Sequence, residues 1–366
     1  MRKTVFLVVC LIPLIGYGQF RKKRNKVIGV DYFQGVIFKH KEQISHLITD
    51  HPVGLRVTLD QKTWGDEAWE SRYNFPDMGI TFVYVDYKNP ILGKSIGAIP
   101  HFQFYSRRNK KARSQLSYKI GLGLGYNSEK YNRETNNKNN VLSTYLSFGI
   151  LFEVAYQYAI NDKMNLTGAM AMTHFSNGSI KKPNSGINVF SINVGLNYRF
   201  NDGPMEYIVH EDLPLTHKPY GLTMTFTSGA HEASRIGTGT YPFFVLSGLL
   251  DKQLNYKSSI GIGIEWFHSI SIKKSRQYDY WLEEGKNPDF NRIGVMIGHE
   301  LSVNQFSLIG QIGYYIYDPY ELFDPIYLRL GLRRYFGDRW FSSLCVKSHG
   351  AKSEAAEFAV GYKIKW

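Results

Sequence analysis

The sequence predicts an all-β fold, a transmembrane antiparallel β-barrel of about sixteen strands in two groups of eight, closing as one large barrel or as two eight-stranded units. Three observations predict it. Long segments alternate apolar and polar residues with a period of two, so each strand carries one greasy face and one small or polar face. Beyond the first residues, no stretch of the chain resembles a membrane-spanning helix. Aromatic residues make up 15% of the composition and glycines number 34, with aromatics gathered near segment ends as interfacial girdles are.

The N-terminus predicts export. Met1-Arg-Lys3 is basic, Thr4 to Ile15 is apolar apart from Pro13, and Gly16-Tyr17-Gly18 supplies small residues for a signal peptidase. Residues 1–18 are therefore read as a signal peptide, with the mature chain starting near Gln19. The apolar run is shorter than the roughly 20 residues of a membrane anchor. A lipoprotein site at Cys10 does not fit, because the run continues past it and no small residue immediately precedes it. Without Cys10, Cys345 is the one remaining cysteine and no internal disulfide forms. Arg21-Lys-Lys-Arg24 reads as a solvated leader to the first strand.

Sixteen strands follow, at 27–38, 52–61, 78–87, 95–107, 115–127, 141–160, 164–176, 187–200, 220–230, 241–254, 257–272, 291–303, 306–317, 325–336, 340–350 and 356–366. In the fifth, Tyr118, Ile120, Leu122, Leu124 and Tyr126 oppose Ser117, Lys119, Gly121, Gly123 and Gly125. In the sixth, Leu142, Leu146, Phe148, Ile150, Phe152 and Val154 oppose Ser143, Ser147, Gly149 and Glu153. Phe190, Ile192, Val194 and Leu196 oppose Ser191, Asn193 and Asn197 in the eighth. Later strands repeat the pattern: Leu328 and Leu330 face away from Arg329 and Arg333, and Val360 and Ile364 from Gly361 and Lys363.

A soluble sandwich would also alternate, but its strands are commonly about 5 or 6 residues. Here many run about 9 to 12, the length of a tilted strand crossing a bilayer. The last strand ends on aromatic Trp366, resembling the terminal strand that the outer-membrane assembly machinery reads. The expected layout is a barrel unit at 19–200, a polar connection at 201–219 and a second barrel unit at 220–366. A weak internal repeat links the halves: Met172-Thr-His174 and Tyr198-Arg-Phe200 are echoed by Lys347-Ser-His349 and Tyr362-Lys-Ile-Lys-Trp366.

A net charge of +13 raises the question of nucleic acid, but no reader motif is present. Much of the charge falls on the polar strand faces or in loops such as Arg107-Arg-Asn-Lys-Lys111 and Lys181-Lys182, which read either as contacts to phosphate groups of an anionic outer leaflet or as ordinarily solvated loops. No cofactor is implied. His299-Glu300 lacks the second histidine of a helical zinc-hydrolase motif, and adjacent strand residues face opposite ways.

One constellation carries chemistry, His174-Phe-Ser-Asn-Gly178 with Asn184-Ser-Gly186 after it. In the seventh strand, Leu166, Met170, Met172, His174 and Ser176 share a parity, which predicts that His174 and Ser176 face the lipid side. A histidine two residues from a serine on one strand can take the hydroxyl proton as the oxygen attacks an ester. On an outward face the substrate would be a membrane lipid. The bland alternative is a pair of polar residues at headgroup level.

His174-Phe-Ser176-Asn177, with Asn184-Ser-Gly186 and a closing amphipathic strand, resembles the outer-membrane lipid A 3-O-deacylases of the PagL type, within the acyloxyacyl hydrolase-like group. The resemblance spans about residues 25 to 200, and its specific part is 174 to 186. It implies an eight-stranded barrel that removes the ester-linked acyl chain at position 3 of lipid A, or lipopolysaccharide, through a Ser-His-Glu triad on its outer surface. His174 would be the general base and Ser176 the nucleophile. Asn177, Gly178 and Asn184 match the surrounding motif, with Asn177 holding the developing oxyanion.

The family's acidic residue would fall at position 188, and this sequence has Asn188. An amide can orient the imidazole but carries no negative charge for an imidazolium. Glu153 lies on the wrong face to replace it. In the second half, His349 has Ala351 where a serine would stand and is read as structural. Two function classes are thus carried forward: a lipid A ester hydrolase using His174, Ser176 and Asn188, and a non-enzymatic barrel acting as a pore or surface scaffold. Oligomeric state is not legible.

Overall fold

The computed structural model describes residues 26–106, 113–200, 206–211, 219–232, 235–276, 289–350 and 352–366. The signal segment 1–18, the leader at 21–24 and the basic run 107–111 lie outside the described residues, as does most of the 201–219 connection. The described residues divide into two compact units, 26–177 with 183–211, and 219–366 with 178–182. Each unit contains one closed barrel.

The first barrel comprises β1 (Lys26–Ile37), β2 (Val53–Gln61), β3 (Asp77–Asp86), β4 (Lys94–Tyr105), β5 (Ser114–Asn127), β6 (Leu146–Ala159), β7 (Met164–Ser176) and β8 (Ile187–Arg199). The second comprises β9 (Tyr220–His231), β10 (Tyr241–Gln253), β11 (Ser258–Ser269), β12 (Asn291–Val303), β13 (Phe306–Tyr317), β14 (Ile326–Phe336), β15 (Trp340–His349) and β16 (Lys352–Lys365). All pairings are antiparallel. β1 closes on β8 through pairs such as Val30↔Leu196, and β9 closes on β16 through Phe226↔Val360. The alternative of one sixteen-stranded barrel is thereby removed, and with it the wide pore that such a barrel would enclose. Closure at eight strands leaves an interior that side chains fill, and it leaves no edge strand unpaired.

Strands of 9 to 14 residues carry the expected two faces. In β8, Ile192 is 68% and Val194 60% exposed, while Asn193 between them is 1% exposed. Among the described residues no helix is long and apolar enough to cross a membrane. The outward apolar band lies on the strand faces, at residues such as Met170, Ile192 and Val194. This is a multi-pass β-barrel protein of the outer membrane.

The interior of the first barrel is polar at mid-height. The Arg56 guanidinium donates to Glu153 at 2.9 Å and to the Thr173 hydroxyl at 2.9 Å, and Lys119 Nζ lies 3.3 Å from the other Glu153 oxygen. Glu153 is therefore committed to an internal charge network, as its parity predicts. Burying three ionic side chains is tolerable only because each has an opposite charge and hydrogen-bond partners within reach.

At one end this barrel is capped. Its β1–β2, β3–β4, β5–β6 and β7–β8 connections all lie at the end opposite the start of β1. Ile44, Leu47, Leu92, Val141 and Leu142 from these connections pack with Phe33, Ile37, Val85 and Phe175 in a buried cluster. Asparagine side chains tie the loops together: Asn89 Nδ2 donates to Leu47 O (3.0 Å), Asn139 Nδ2 to Ile91 O (2.9 Å) and Asn140 Nδ2 to Gln43 O (2.6 Å). The buried Tyr87 hydroxyl lies 2.8 Å from Ser95 Oγ, which donates to Asn127 Oδ1 at 2.7 Å; burial pushes the Tyr87 phenol above its ordinary range. At the other end, Tyr207 packs against Trp64 and Phe75, and Ile208 N–H donates to Trp64 O at 2.8 Å.

Two expectations for the sixth strand need correction, and the eleventh strand ends at Ser269 because residues 270–275 form a short helix. Residues 141–145 are not part of the sixth strand, because Val141 and Leu142 are consecutive and both buried, which breaks the alternation. The Leu142 N–H donates to Asn139 Oδ1 and its carbonyl accepts from Tyr131 N–H, so its backbone serves the cap rather than the sheet ladder. Phe148 keeps its outward parity but is buried, directly across from Ser176.

In the second barrel the same alternation turns a denser charge network inward. Arg329 donates to Glu265 at 2.8 Å and to Glu357 at 2.5 Å, Arg333 to Glu300 at 3.0 Å, and Lys363 Nζ to Asp251 at 2.7 Å. His349 faces inward as its parity predicts, with Nε2 2.7 Å from Glu354, which also receives Arg292 at 2.6 Å and Lys347 at 3.0 Å. It is a member of a buried ion cluster.

Candidate active site

The site is built on the last turn of β7 and the first of β8, whose register sets His174 opposite Asn188 and Phe175 opposite Ile187. Phe175 is the inward anchor. Its ring is fully buried where Gly97, Gly125 and Gly149 leave room: a Cβ at these positions would come within 3.2, 2.6 and 3.2 Å of the ring. Fixing Phe175 inward forces His174 and Ser176 outward by the two-residue period.

There His174 Nε2 lies 2.9 Å from Ser176 Oγ, and His174 Nδ1 lies 2.6 Å from Asn188 Oδ1. An amide oxygen only accepts, so with Oδ1 toward it a neutral His174 carries its proton on Nδ1 and leaves Nε2 bare to accept from the serine hydroxyl. All three residues are part-buried, on the outward parity of their strands. The arrangement has the connectivity of nucleophile, base and orienting residue.

The supporting turn is tightly shaped. Gly178 and Ser179 both have positive φ, 61° and 63°, which turns the chain sharply after β7. Asn177 N–H donates to Asn184 Oδ1 at 3.1 Å, closing the turn onto itself. The Asn177 side chain is buried, with Nδ2 donating to Ser143 Oγ at 2.9 Å. Its carboxamide therefore anchors the turn to the cap, on the face opposite Ser176. Gly186, with φ of 73°, sits against the imidazole.

Sequence reasoning did not single out His40, which follows β1. Asn188 Nδ2 is 3.2 Å from His40 Nδ1, and His40 Nε2 is 3.0 Å from Ser185 O. The backbone of this segment is held to β8 by Phe38 N–H donating to Asn188 O at 2.9 Å. Nothing in local sequence joins residues 40 and 188; only closure of β1 on β8 does. Elsewhere, His299 faces out with Nε2 2.6 Å from Ser258 Oγ while Glu300 points inward, so that pair is split as expected.

Two family models match the chain. Residues 53–197 match "Lipid A 3-O-deacylase (PagL)" and residues 220–366 match "Acyloxyacyl hydrolase, C-terminal domain". No curated protein sequence matches. Among solved structures, the Neisserial surface protein A is 13% identical over 48% of this chain and 97% of that one, with a TM-score of 0.33. The outer membrane enzyme PagL is 16% identical over 46% of this chain and 97% of its own, with a TM-score of 0.32. With one model covering most of each barrel, the chain belongs to the PagL-type, acyloxyacyl hydrolase family of outer-membrane barrels.

Proposed function

We propose that this protein is an ester hydrolase that removes the 3-O-linked acyl chain of lipid A, with Ser176 as nucleophile, His174 as general base and Asn188 as the residue that orients the base. The observation that carries the reading is the hydrogen-bonded chain Ser176 Oγ, His174 Nε2, His174 Nδ1, Asn188 Oδ1 on the outward face of a membrane barrel. Family membership supports the reaction class, and the outward face supports a lipid substrate reached from the bilayer.

In the first half-reaction, Ser176 Oγ attacks the ester carbonyl carbon while its proton passes to His174 Nε2. Collapse of the tetrahedral intermediate breaks the bond to the sugar oxygen, which takes that proton as it leaves. Water then attacks the acyl-serine with His174 again as base, releasing the fatty acid and restoring Ser176. Asn188 holds the imidazole in the tautomer with a bare Nε2 but lends it no negative charge. Asn177, Gly178 and Asn184 shape the turn beside the nucleophile, and the Asn177 N–H, one residue after it, is the backbone donor this reading assigns to the oxyanion. To serve there it must exchange Asn184 Oδ1 for the substrate.

The test is mass spectrometry of lipid A incubated with the purified barrel. A loss equal to one 3-O-linked hydroxyacyl chain, abolished in folded Ser176→Ala and His174→Ala variants, is the expected result. Absence of release from several lipid A acyl forms by the wild type would favour the second reading, a non-enzymatic barrel acting as a surface scaffold, for which the amide at position 188 is the specific argument.

A further inference from the structure

Asn188 can present either end of its carboxamide to His174, and only one end makes a base. With Oδ1 toward His174, Nδ1 is protonated and Nε2 is bare; with Nδ2 toward it, Nδ1 must accept and the proton moves to Nε2, where it faces the Ser176 hydroxyl. A glutamate or aspartate would have no such ambiguity, since both of its oxygens accept. Something other than Asn188 itself must therefore choose the orientation.

We propose that His40 is the positioning residue that makes this choice, an inference that deepens the ester-hydrolase reading and rests on it for its catalytic consequence. The direction of the relay starts from a group that cannot change role. The Ser185 carbonyl only accepts, so at 3.0 Å it fixes the proton of a neutral His40 on Nε2. Nδ1 is then bare and accepts from Asn188 Nδ2 at 3.2 Å. The carboxamide is thereby turned with Oδ1 toward His174 Nδ1, at 2.6 Å. Nε2 of His174 is left bare, 2.9 Å from Ser176 Oγ. Each step follows from donor and acceptor capacity alone, and together they carry a fixed polarity from a backbone carbonyl to the nucleophile.

A competing acceptor exists, Phe38 O at 3.3 Å from His40 Nδ1. A proton on Nδ1 would serve that carbonyl but would oppose two donors across the His40–Asn188 contact and leave Ser185 O without its shorter bond. The relay tautomer satisfies more of the groups present. Position supports the role as well. Gly186 and Ser185 are held by N–H bonds to Val141 O and Asn140 O, so the carbonyl that sets the polarity belongs to the capped end of the barrel.

The experiment uses the full-length protein labelled with ¹⁵N-histidine in detergent micelles, with the His174 resonances assigned by their loss in a His174→Asn variant. In the wild type, His174 is expected in the Nδ1–H form. His40→Phe keeps the ring shape and removes both nitrogens; the His174 signal should move toward the Nε2–H form, and kcat for lipid A deacylation should fall about tenfold, as when the competent form becomes a roughly 10% state, with KM unchanged. His40→Gln, which offers an acceptor and a donor, should restore both readouts in part. In an Asn188→Asp background, where both oxygens accept, His40→Phe should change the rate by less than about twofold. A folded His40→Phe protein that keeps the wild-type His174 tautomer, or an equal rate loss in the Asn188→Asp background, would overturn the relay. If the wild type releases no acyl chain, the hydrolase reading fails while the tautomer spectra still decide the relay.

Discussion

Gly186 lies so close to the His174 imidazole that a Cβ built on it would stand 2.7 Å from Cε1 and 3.4 Å from Nε2. Its φ of 73° is one that residues with side chains rarely adopt. Gly186→Ala should therefore cost about 1–2 kcal/mol of backbone strain and push the imidazole away from Ser176. The expected outcome is a barrel that still shows heat-modifiable migration on gels but deacylates lipid A at least tenfold more slowly. Unchanged activity would mean that the imidazole position is not set by this contact.

The outward face of β8 can be tested by charge. Val194→Lys places an ammonium on a lipid-facing position that is 60% exposed, whereas Asn193→Lys points into a polar interior. A charge near the bilayer midplane costs about 2–4 kcal/mol, so Val194→Lys should lower the yield of assembled barrel well below that of Asn193→Lys. Equal yields would contradict the register in which Val194 pairs with Gly168 and Asn193 with Ala169.

Strand number, strand face and the outward placement of His174 and Ser176 were legible because one rule, the two-residue period, governs them all. Closure was not, since pairing between β1 and β8 or between β9 and β16 joins residues whose sequence neighbourhoods carry no mark of their partner. The same non-locality hid His40, which reaches Asn188 only through that seam. Leu142 misled because an apolar residue just before a strand has the same look as the strand's first residue. Only the loops folded over it make it core. The motif gave the position of Asn177 but not the partner of its side chain, which is Ser143 in the loop before β6.

Glu153 holds Arg56 and Lys119 together inside the first barrel. Glu153→Ala would leave two buried cations without their shared anion, at a cost of about 3–5 kcal/mol. Urea unfolding in micelles, followed by tryptophan fluorescence, should show the midpoint fall accordingly. Replacing all three by apolar residues, Arg56→Met, Lys119→Met and Glu153→Leu, should recover much of the loss. If the single variant is as stable as the wild type, the cluster does not contribute as its geometry suggests.

Orientation follows from strand parity. With the amino terminus of β1 on the periplasmic side, β7 runs outward and the connection after it is extracellular. A cysteine placed between Lys181 and Ser185 should react with a membrane-impermeant maleimide in intact cells. The background should be low, because Cys345 is buried. Labelling only after the outer membrane is opened would reverse the orientation and remove the site from the outer leaflet.

Asn188 gives the sharpest test of the chemistry, because three substitutions separate orientation from charge. Asn188→Ala removes the acceptor at 2.6 Å from His174 Nδ1, leaving the imidazole free to rotate and its Nδ1–H without a partner. Loss of one such part-buried bond is worth about 1–3 kcal/mol, or about five- to 150-fold in rate if it acts in the transition state. Asn188→Asp keeps the shape and the acceptor and adds a negative charge where the imidazolium forms, so the rate should hold or rise. Asn188→Glu restores the family's carboxylate at this position with a longer reach, and it too should preserve or raise the rate. The ordering Asp and Glu at or above Asn, with Ala well below, is what an orienting amide in a triad predicts. A rate unaffected by Ala would detach Asn188 from the reaction, and a rate destroyed by both carboxylates would mean that the amide nitrogen, rather than its oxygen, is the group the site requires.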